Sequence, residues 1–573
     1  MTAPLSHARR HPLKYLTLLA GCALLVGTTY SQQSKPGHLP GSNPNTPVNV
    51  IIQYKHPPSE LHHRRVRSCG GFLLAELPAV RGAAYSVPAG VLTELANDPE
   101  VFHISPDHKL RSSLDTTAAA VNAAAAWQTG LTGTGIGVAV IDSGISNHDD
   151  LTHQSHRIVY NQDFVGGGTD DHHGHGEHVA GIIAGDGTDS TCSKCFRNLK
   201  GMAPVANLLN LRVLDQNGQG TDSAVIAAIS RAIQLKSQYN IRVINLSLGR
   251  PVYESYTLDP LCQAVEAAWK AGIVVVVAAG NNGRDNSAGT QGYGTITAPG
   301  NDPYVITVGA MKTMGTPQRS DDLVASYSSK GPTMVDHVVK PDIVAPGNRI
   351  VSLLSSNGNL NSLYPQNNVP LPYYQSSAPN NPSNKYYALS GTSMAAAVVS
   401  GAAALLVQAY PSLTPDQVKA RLMHTASKVF PLTSSVFDPV AGNTYLSNYD
   451  IYTVGAGYLD IGAALADTTL FTGSALSPFV VTDPVTHVTS LLCPSSSICG
   501  SQSLWDNQSL WGNQSLWDNQ TLWDNMFFLR GTQTLWDNQS LWNNQSLWGS
   551  QSVWGSSTIA KGEATTIAIY GEN

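Results

Sequence analysis

An α/β fold with a buried parallel sheet is predicted for this 573-residue chain by three stretches. Val138-Ala139-Val140-Ile141 and Val274-Val275-Val276-Val277-Ala278 are short runs with no polar residue. Strands that are apolar on both faces belong to parallel sheets covered by helices on both sides. The third stretch, Val398 to Tyr410, is interrupted only by Ser400, Gly401 and Gln408 and reads as a core helix.

Each stretch delivers a residue able to do chemistry. The first strand ends in Asp142 and a glycine turn, the second runs through Ala279 and Gly280 into Asn281, and the helix opens at Gly391-Thr392-Ser393-Met394. Open α/β sheets hold their sites at the carboxyl ends of strands. Ser393, in the first turn of a buried helix, lies near N–H groups that favour developing negative charge, although the same position suits an ordinary capping serine. A hydroxyl is a weak nucleophile without a base. Asp171-His172-His173-Gly174-His175-Gly176-Glu177-His178 opens another apolar helix and supplies histidines, Asp142 supplies a carboxylate, and the Asn281 amide can donate to an oxyanion.

In chain order, Val-Ile-Asp-Ser-Gly-Ile at 140–145, Gly-His-Gly-Glu-His-Val-Ala-Gly at 174–181, Ala-Ala-Gly-Asn at 278–281 and Gly-Thr-Ser-Met-Ala at 391–395 resemble the subtilisin-like serine proteases. The order Asp, His, Ser is the subtilisin one. The resemblance continues through Gly201-Met202-Ala203-Pro204, Ser328-Ser329-Lys330-Gly331-Pro332 and Lys340-Pro341-Asp342-Ile343-Val344-Ala345-Pro346-Gly347, covering roughly residues 116 to 468. It implies a doubly wound, mostly parallel sheet and a serine endopeptidase. Ser393 would attack the scissile carbonyl, His175 would take and return its proton, and Asp142 would orient the imidazole. The Asn281 amide and the Ser393 N–H would hold the oxyanion.

By the same resemblance Ser247-Leu248-Gly249 and Ala278-Ala279-Gly280 pair with the substrate backbone and line its primary pocket, while Gly218-Gln219-Gly220 forms an edge further out. These pocket segments carry no charge, which implies broad cleavage favouring apolar residues. Three departures stand out. Glu177 replaces the family's usual threonine and, at a helix start, is expected to face water. Ala396-Ala397-Val398 replaces Ala-Pro-His, which would relax crowding beside Ser393 and alter the balance between hydrolysis and acyl transfer. Pro299 stands where the family often carries a cis proline. The chemistry requires no cofactor. Asp150 matches a calcium-ligating carboxylate of the family, but the loop Asp186 to Leu199 differs in length and composition, so structural calcium is left open. The histidine cluster lacks zinc spacing.

Residues 1–34 carry Arg9, Arg10 and Lys14, then an apolar run from Tyr15 to Val26, the architecture of an export signal. Leu19-Ala20-Gly21-Cys22 looks like a bacterial lipobox. We read the chain as secreted and extracellular, with lipid anchoring at the cell envelope through Cys22 as the alternative. Residues 35–114 resemble an inhibitory pro-domain, with strands at 48–54, 83–87 and 101–107 and a helix at 88–97; Lys109 to Leu114 would then be the first intramolecular substrate. The peptidase domain would span 115–470 and a linker 471–500.

Trp505, Trp511, Trp517 and Trp523 recur every six residues, as do Trp536, Trp542, Trp548 and Trp554, within 501–556, before a tail at 557–573. An even period puts every Trp on one side of an extended strand. The repeat reads either as a small β-solenoid or as a flexible low-complexity segment, suited to carbohydrate or cell-envelope contact. Seven cysteines fit an oxidising compartment, with Cys192–Cys195 and Cys493–Cys499 as local disulfides and Cys262 as a buried thiol. A net charge of -6 provides no basic field for nucleic acid. The partners implied are peptide substrates and the chain's own pro-domain; oligomeric state is not legible. The competing class is an inactive scaffold that presents the Trp repeat.

Overall fold

Valine-rich strands form the sheet that organises the molecule. The computed structural model describes residues 46–77, 81–106, 114–152, 156–287, 289–438, 442–482, 489–494, 497, 569 and 571–572. The stretch read as an export signal, with Cys22, the segment 109–113 and the Trp repeats lie outside the described residues. The chain divides into two units, Met1–Leu110 and Arg111–Asn573.

In the first unit, β1 (Pro47–Tyr54), β2 (Phe72–Leu77), β3 (Gly82–Pro88) and β4 (Val101–Pro106) form a sheet in the order β2-β3-β1-β4, with antiparallel pairing throughout. Helices α1 (Glu60–Ser68) and α2 (Leu92–Ala96) accompany it. Val50, Ile52 and Tyr54 alternate along β1 into a core shared with Val66, Tyr85, Leu95 and Ile104. Helix α1 was not legible because it buries only His63 and Val66, too few apolar positions to give a periodic signal. Strand β2 was equally silent, since Phe72 to Glu76 are exposed.

In the second unit the helices are α3 (Leu114–Ala120), α4 (Ala123–Gln128), α5 (Asp149–Thr152), α6 (His175–Ala184), α7 (Asp222–Tyr239), α8 (Pro260–Lys270), α9 (Asn359–Leu363), α10 (Thr392–Ala409), α11 (Pro415–Thr425) and α12 (Ile461–Ala466). The main sheet contains β5 (Gly137–Asp142), β6 (Ile158–Asp163), β7 (Asn207–Arg212), β8 (Ile241–Leu246), β9 (Val274–Ala278), β10 (Ile306–Lys312), β11 (Leu323–Val324) and β12 (Ile343–Pro346). Its order is β11-β10-β9-β8-β5-β7-β6, with β12 on β10, and every pairing except β10 with β11 is parallel. Strands β5 and β9 are buried at every position, as runs covered on both faces must be. Helices α6 and α10 pack together against this sheet, and α7 and α8 pack as a second pair. The architecture is the predicted doubly wound α/β sheet.

Among the described residues, one helix, α10, is long and apolar enough to cross a membrane, and it is buried inside the protein. Smaller elements complete the unit. β13 (Ile350–Leu353), β14 (Asn368–Pro370) and β15 (Pro382–Leu389) form one sheet, β16 (Thr433–Asp438) and β17 (Asn443–Asn448) a hairpin, and β18 (Phe479–Thr482) and β19 (Thr489–Leu492) a ribbon.

Two segments beyond the predicted peptidase domain touch its core. The described part of 471–500, read as a linker, folds onto the peptidase unit. Ala475 and Val480 join its core, the Ser477 N–H donates to the Pro303 carbonyl, and the buried Lys419 ammonium donates to Ser477 Oγ at 2.9 Å. In the tail, Ile569 joins the same core and Glu572 is buried. A run of Ser, Pro and small residues gave no periodicity from which either contact could be read. Cys192 and Cys195 form a disulfide, Cys262 is a buried thiol, and Cys493 is disulfide-bonded; Cys499 lies outside the described residues. The Ala298–Pro299 peptide is cis, as the resemblance implied.

Candidate active site

The end of β5 and the start of α6 are locked together by short polar contacts. Asp171 precedes the helix and accepts the N–H groups of His173, Gly174 and Glu177 at 3.0, 2.8 and 2.8 Å, together with the Ser143 hydroxyl at 2.9 Å. A carboxylate at this end of a helix satisfies donors that have no partner within the helix. The Gly176 N–H in turn donates to Ser143 Oγ at 2.9 Å. Gly176 must lack a side chain, because a Cβ there would stand 2.3 Å from the Gly144 carbonyl oxygen. These contacts bring His175 Nδ1 to 2.7 Å from Asp142 Oδ1, with both residues almost wholly buried. The same carboxylate oxygen accepts the Ser143 N–H at 2.8 Å.

Ser393 is the second residue of α10, the helix that packs on α6. Its hydroxyl donates to the Ser247 carbonyl at 3.2 Å, and the Ser247 hydroxyl donates back to the Ser393 carbonyl at 2.8 Å. Beneath them the polar chain continues from Ser247 through Asn245 to Ser400. Gly391 precedes the helix at φ +152°, a conformation that favours glycine, and a Cβ on it would crowd Asn281 Nδ2 at 3.2 Å. Asn281 Oδ1 accepts from Thr392 N at 2.9 Å and from Thr392 Oγ1 at 3.1 Å. The carbonyl side of the amide is thereby committed, and its NH₂ side faces the opening of α10.

The predicted wall segments adjoin this centre. Ser247-Leu248-Gly249 leaves β8 and Ala278-Ala279-Gly280 ends β9, the parallel neighbour of β8. They meet across Thr297, whose N–H donates to the Ala279 carbonyl and whose Oγ1 would lie 2.5 Å from a Cβ at Gly249. Gly218 lies in a turn closed by Asp215 and Gln219, and Gly220 precedes α7, at the carboxyl end of β7. All these segments follow the carboxyl ends of their strands.

Electrostatics separate the histidines. Burial pushes His175 down, but the charge and hydrogen bond of Asp142, with Asp171 behind, outweigh it and hold the ring above its ordinary value. His173 is pushed down to about 4 by burial and by His175, and His178 to about 3 for the same reasons. His178 Nε2 lies 3.0 and 3.1 Å from the carbonyls of Ile350 and Tyr387. Glu177 requires correction: it is fully buried rather than facing water, because α6 is enclosed from its first turn. Its Oε2 accepts the Ser146 N–H, and burial raises its carboxyl well above the usual carboxylate range.

Asp150 lies in a cluster with His148 and Asp189. Its oxygens accept the Asp189 N–H at 2.7 Å and the Tyr386 hydroxyl at 2.8 Å. The Asp150 N–H donates to His148 Nδ1 at 3.1 Å, and Lys385 Nζ stands 3.3 Å from Asp189 Oδ2. Arg157 donates to the Asp150 carbonyl. Calcium takes six to eight oxygen ligands. Two carboxylates already engaged by the protein, an imidazole and two adjacent cations do not fit it.

Sequence reading missed Ser143, Asp171, Asn245, Thr392 and Ser400. Asn245 had a usable signal, as the amide within the otherwise apolar Val243-Ile244-Asn245-Leu246; a polar group in a buried strand needs a partner.

A subtilase-family model matches residues 133–449. The chain belongs to the subtilase family. Serine protease AprX of Bacillus subtilis (strain 168) is 38% identical over 347 residues, covering 59% of this chain and 71% of the relative. Subtilisin E of the same organism is 30% identical over 461 residues, covering 78% of this subtilase and 98% of the relative. A crystal structure of a cold adapted subtilisin-like serine proteinase aligns at 30% identity and a TM-score of 0.37, covering 52% of this chain and 84% of that one. This subtilase is a serine endopeptidase, and its substrates are peptides.

Proposed function

We propose that Asp142, His175 and Ser393 are the catalytic triad of this subtilase. The observation that carries the reading is the buried 2.7 Å contact of His175 Nδ1 with Asp142 Oδ1, on a helix that packs against the one carrying Ser393 in its first turn. His175 Nε2 takes the Ser393 proton as Oγ attacks the scissile carbonyl, and the imidazolium is stabilised by Asp142. The proton then passes to the leaving amine, and water hydrolyses the acyl-enzyme by the same steps in reverse. The Asn281 NH₂ and the Ser393 N–H hold the oxyanion. Ser247 to Gly249 and Ala278 to Gly280 bind the substrate strand and its side chain, with Gly218 and Gly220 at the outer edge. The uncharged lining favours apolar residues before the cut. Asp150 serves as a buried acceptor for Tyr386, and the chemistry uses no metal or cofactor.

The first unit, with its own core, acts in this reading as an inhibitory pro-domain removed by autoprocessing outside the cell; the Cys192–Cys195 disulfide fits that compartment. Intact mass of the wild type beside Ser393→Ala tests the whole. Loss of about the first 110 residues in the wild type alone supports the reading. Full-length protein in both, with no labelling by a serine-directed fluorophosphonate, overturns the catalytic assignment and favours the inactive scaffold. A peptide-library profile then tests apolar preference against a narrow processing specificity.

A further inference from the structure

Beyond the Trp repeat the chain returns to the peptidase unit, and its return is built into the core. Glu572 is 4% exposed, and its carboxylate accepts the Ser326 N–H at 2.8 Å and the Ser326 hydroxyl at 2.9 Å through one oxygen. The other oxygen lies 2.9 Å from the ammonium of Lys312, itself buried at the end of β10. The Asn348 side chain grips the Glu572 backbone from both sides, accepting its N–H at 2.8 Å and donating to its carbonyl at 2.7 Å. Asn367 donates to the Ile569 carbonyl. A Cβ on Gly571, whose φ is +66°, would meet Ser390 Oγ and Arg349 Cγ at 2.6 Å.

This docking place touches both supports of the oxyanion side. Ser326 Oγ, which donates to Glu572, also accepts from Arg284 Nε at 2.7 Å, three residues beyond Asn281. Along the same strip the Gly283 N–H bonds to the Tyr327 carbonyl and the Asn282 N–H to Ser329 Oγ. On the other side Asn348 follows Gly347, whose carbonyl accepts the Gly391 N–H at 2.8 Å, and Ser390 precedes Gly391.

We propose that the pocket formed by Lys312, Ser326 and Asn348 is a binding site for a carboxylate-bearing peptide segment, that Gly571 and Glu572 are its occupant, and that Glu572 is a positioning residue which fixes the Asn281 loop and the Gly391 turn for catalysis. The proposal rests on the oxyanion role assigned to Asn281. Ser497, ahead of the Trp repeat in the chain, is also bonded to this unit, through the Leu476 carbonyl.

The test uses full-length Glu572→Ala with active sites counted by fluorophosphonate titration, in wild-type and Asn281→Ala backgrounds, beside Ser393→Ala. The expected result is a loss of kcat per titrated site of about tenfold with KM little changed, and a smaller loss in the Asn281→Ala background, where only the Gly391 turn is left to be misplaced. Glu572→Gln, which keeps an acceptor for Ser326 but loses the charge facing Lys312, replaces Glu572→Ala in both backgrounds where the latter yields no soluble protein. Turnover per site within about twofold of wild type, or an equal loss in both backgrounds, overturns the proposal. Titration abolished in Ser393→Ala, while Glu572→Ala keeps wild-type turnover per titrated site, leaves the serine assignment standing and removes this one alone.

Discussion

The Thr392 N–H donates to Asn281 Oδ1 at 2.9 Å. That bond decides which way the Asn281 amide points, since an N–H can only meet its oxygen, and it joins the loop after β9 to the first residue of the helix that carries Ser393. Asn281→Ala should lower kcat by about 10²–10³ with little change in KM, the cost of losing one oxyanion donor. Steady-state kinetics on a peptide amide check this; a loss under about threefold removes Asn281 from the oxyanion site.

The acid limb of kcat/KM should fall at a pH above the ordinary histidine value, because His175 is held up by Asp142 against its burial and must be neutral to act as base. The sign for stability is opposite. A raised folded pKa makes the charged pair contribute fully below the unfolded value, and that contribution is lost as pH rises through the folded one. Asp142→Asn should therefore shift the limb downward as well as reduce turnover, as a pH–rate profile would show.

Glu177→Gln should stabilise the protein at alkaline pH. The buried carboxyl keeps its proton well above the usual carboxylate range, so the unfolded chain releases that proton first and stability declines from the unfolded pKa up to the folded one. The glutamine has no proton to lose. Melting temperatures from about pH 5 to 10 should show a flatter profile for the variant; an unchanged slope would place the titration elsewhere.

Chelation should leave thermal stability unchanged. Calcium at about a thousand times its Kd would add about 4 kcal/mol, a shift easily seen in a melt with and without EDTA. A clear drop in Tm that Asp150→Asn abolishes would return Asp150 to the role of ligand.

Gly391→Ala should cost about 1–3 kcal/mol in stability, because φ there is +152° and the new Cβ meets Asn281 Nδ2 at 3.2 Å. The same contact should disturb the oxyanion donor, so activity per folded molecule should also fall.

The sequence by itself determined the class of sheet and which residues lie at its carboxyl edge. Unbroken apolar runs at 138–141 and 274–278 can be satisfied only by burial on both faces, and such strands carry whatever follows them to one edge of the sheet. Asp142 and Asn281 were therefore legible as residues of that edge, and Ser393 and His175 as residues at the start of apolar helices; the roles expected of them came from the resemblance. What tertiary structure alone decided is how these residues are held and which others hold them. Asp171 sits four residues before His175 in a polar stretch, and nothing local says that it gathers three N–H groups and Ser143. Glu177 falls at a helix start, ordinarily wet, and only the enclosure of α6 makes it buried. Glu572 and Ser326 are 246 residues apart, and their meeting depends on a core already folded. Burial and hydrogen bonding at long range belong to the assembled chain, whereas periodicity belongs to the segment.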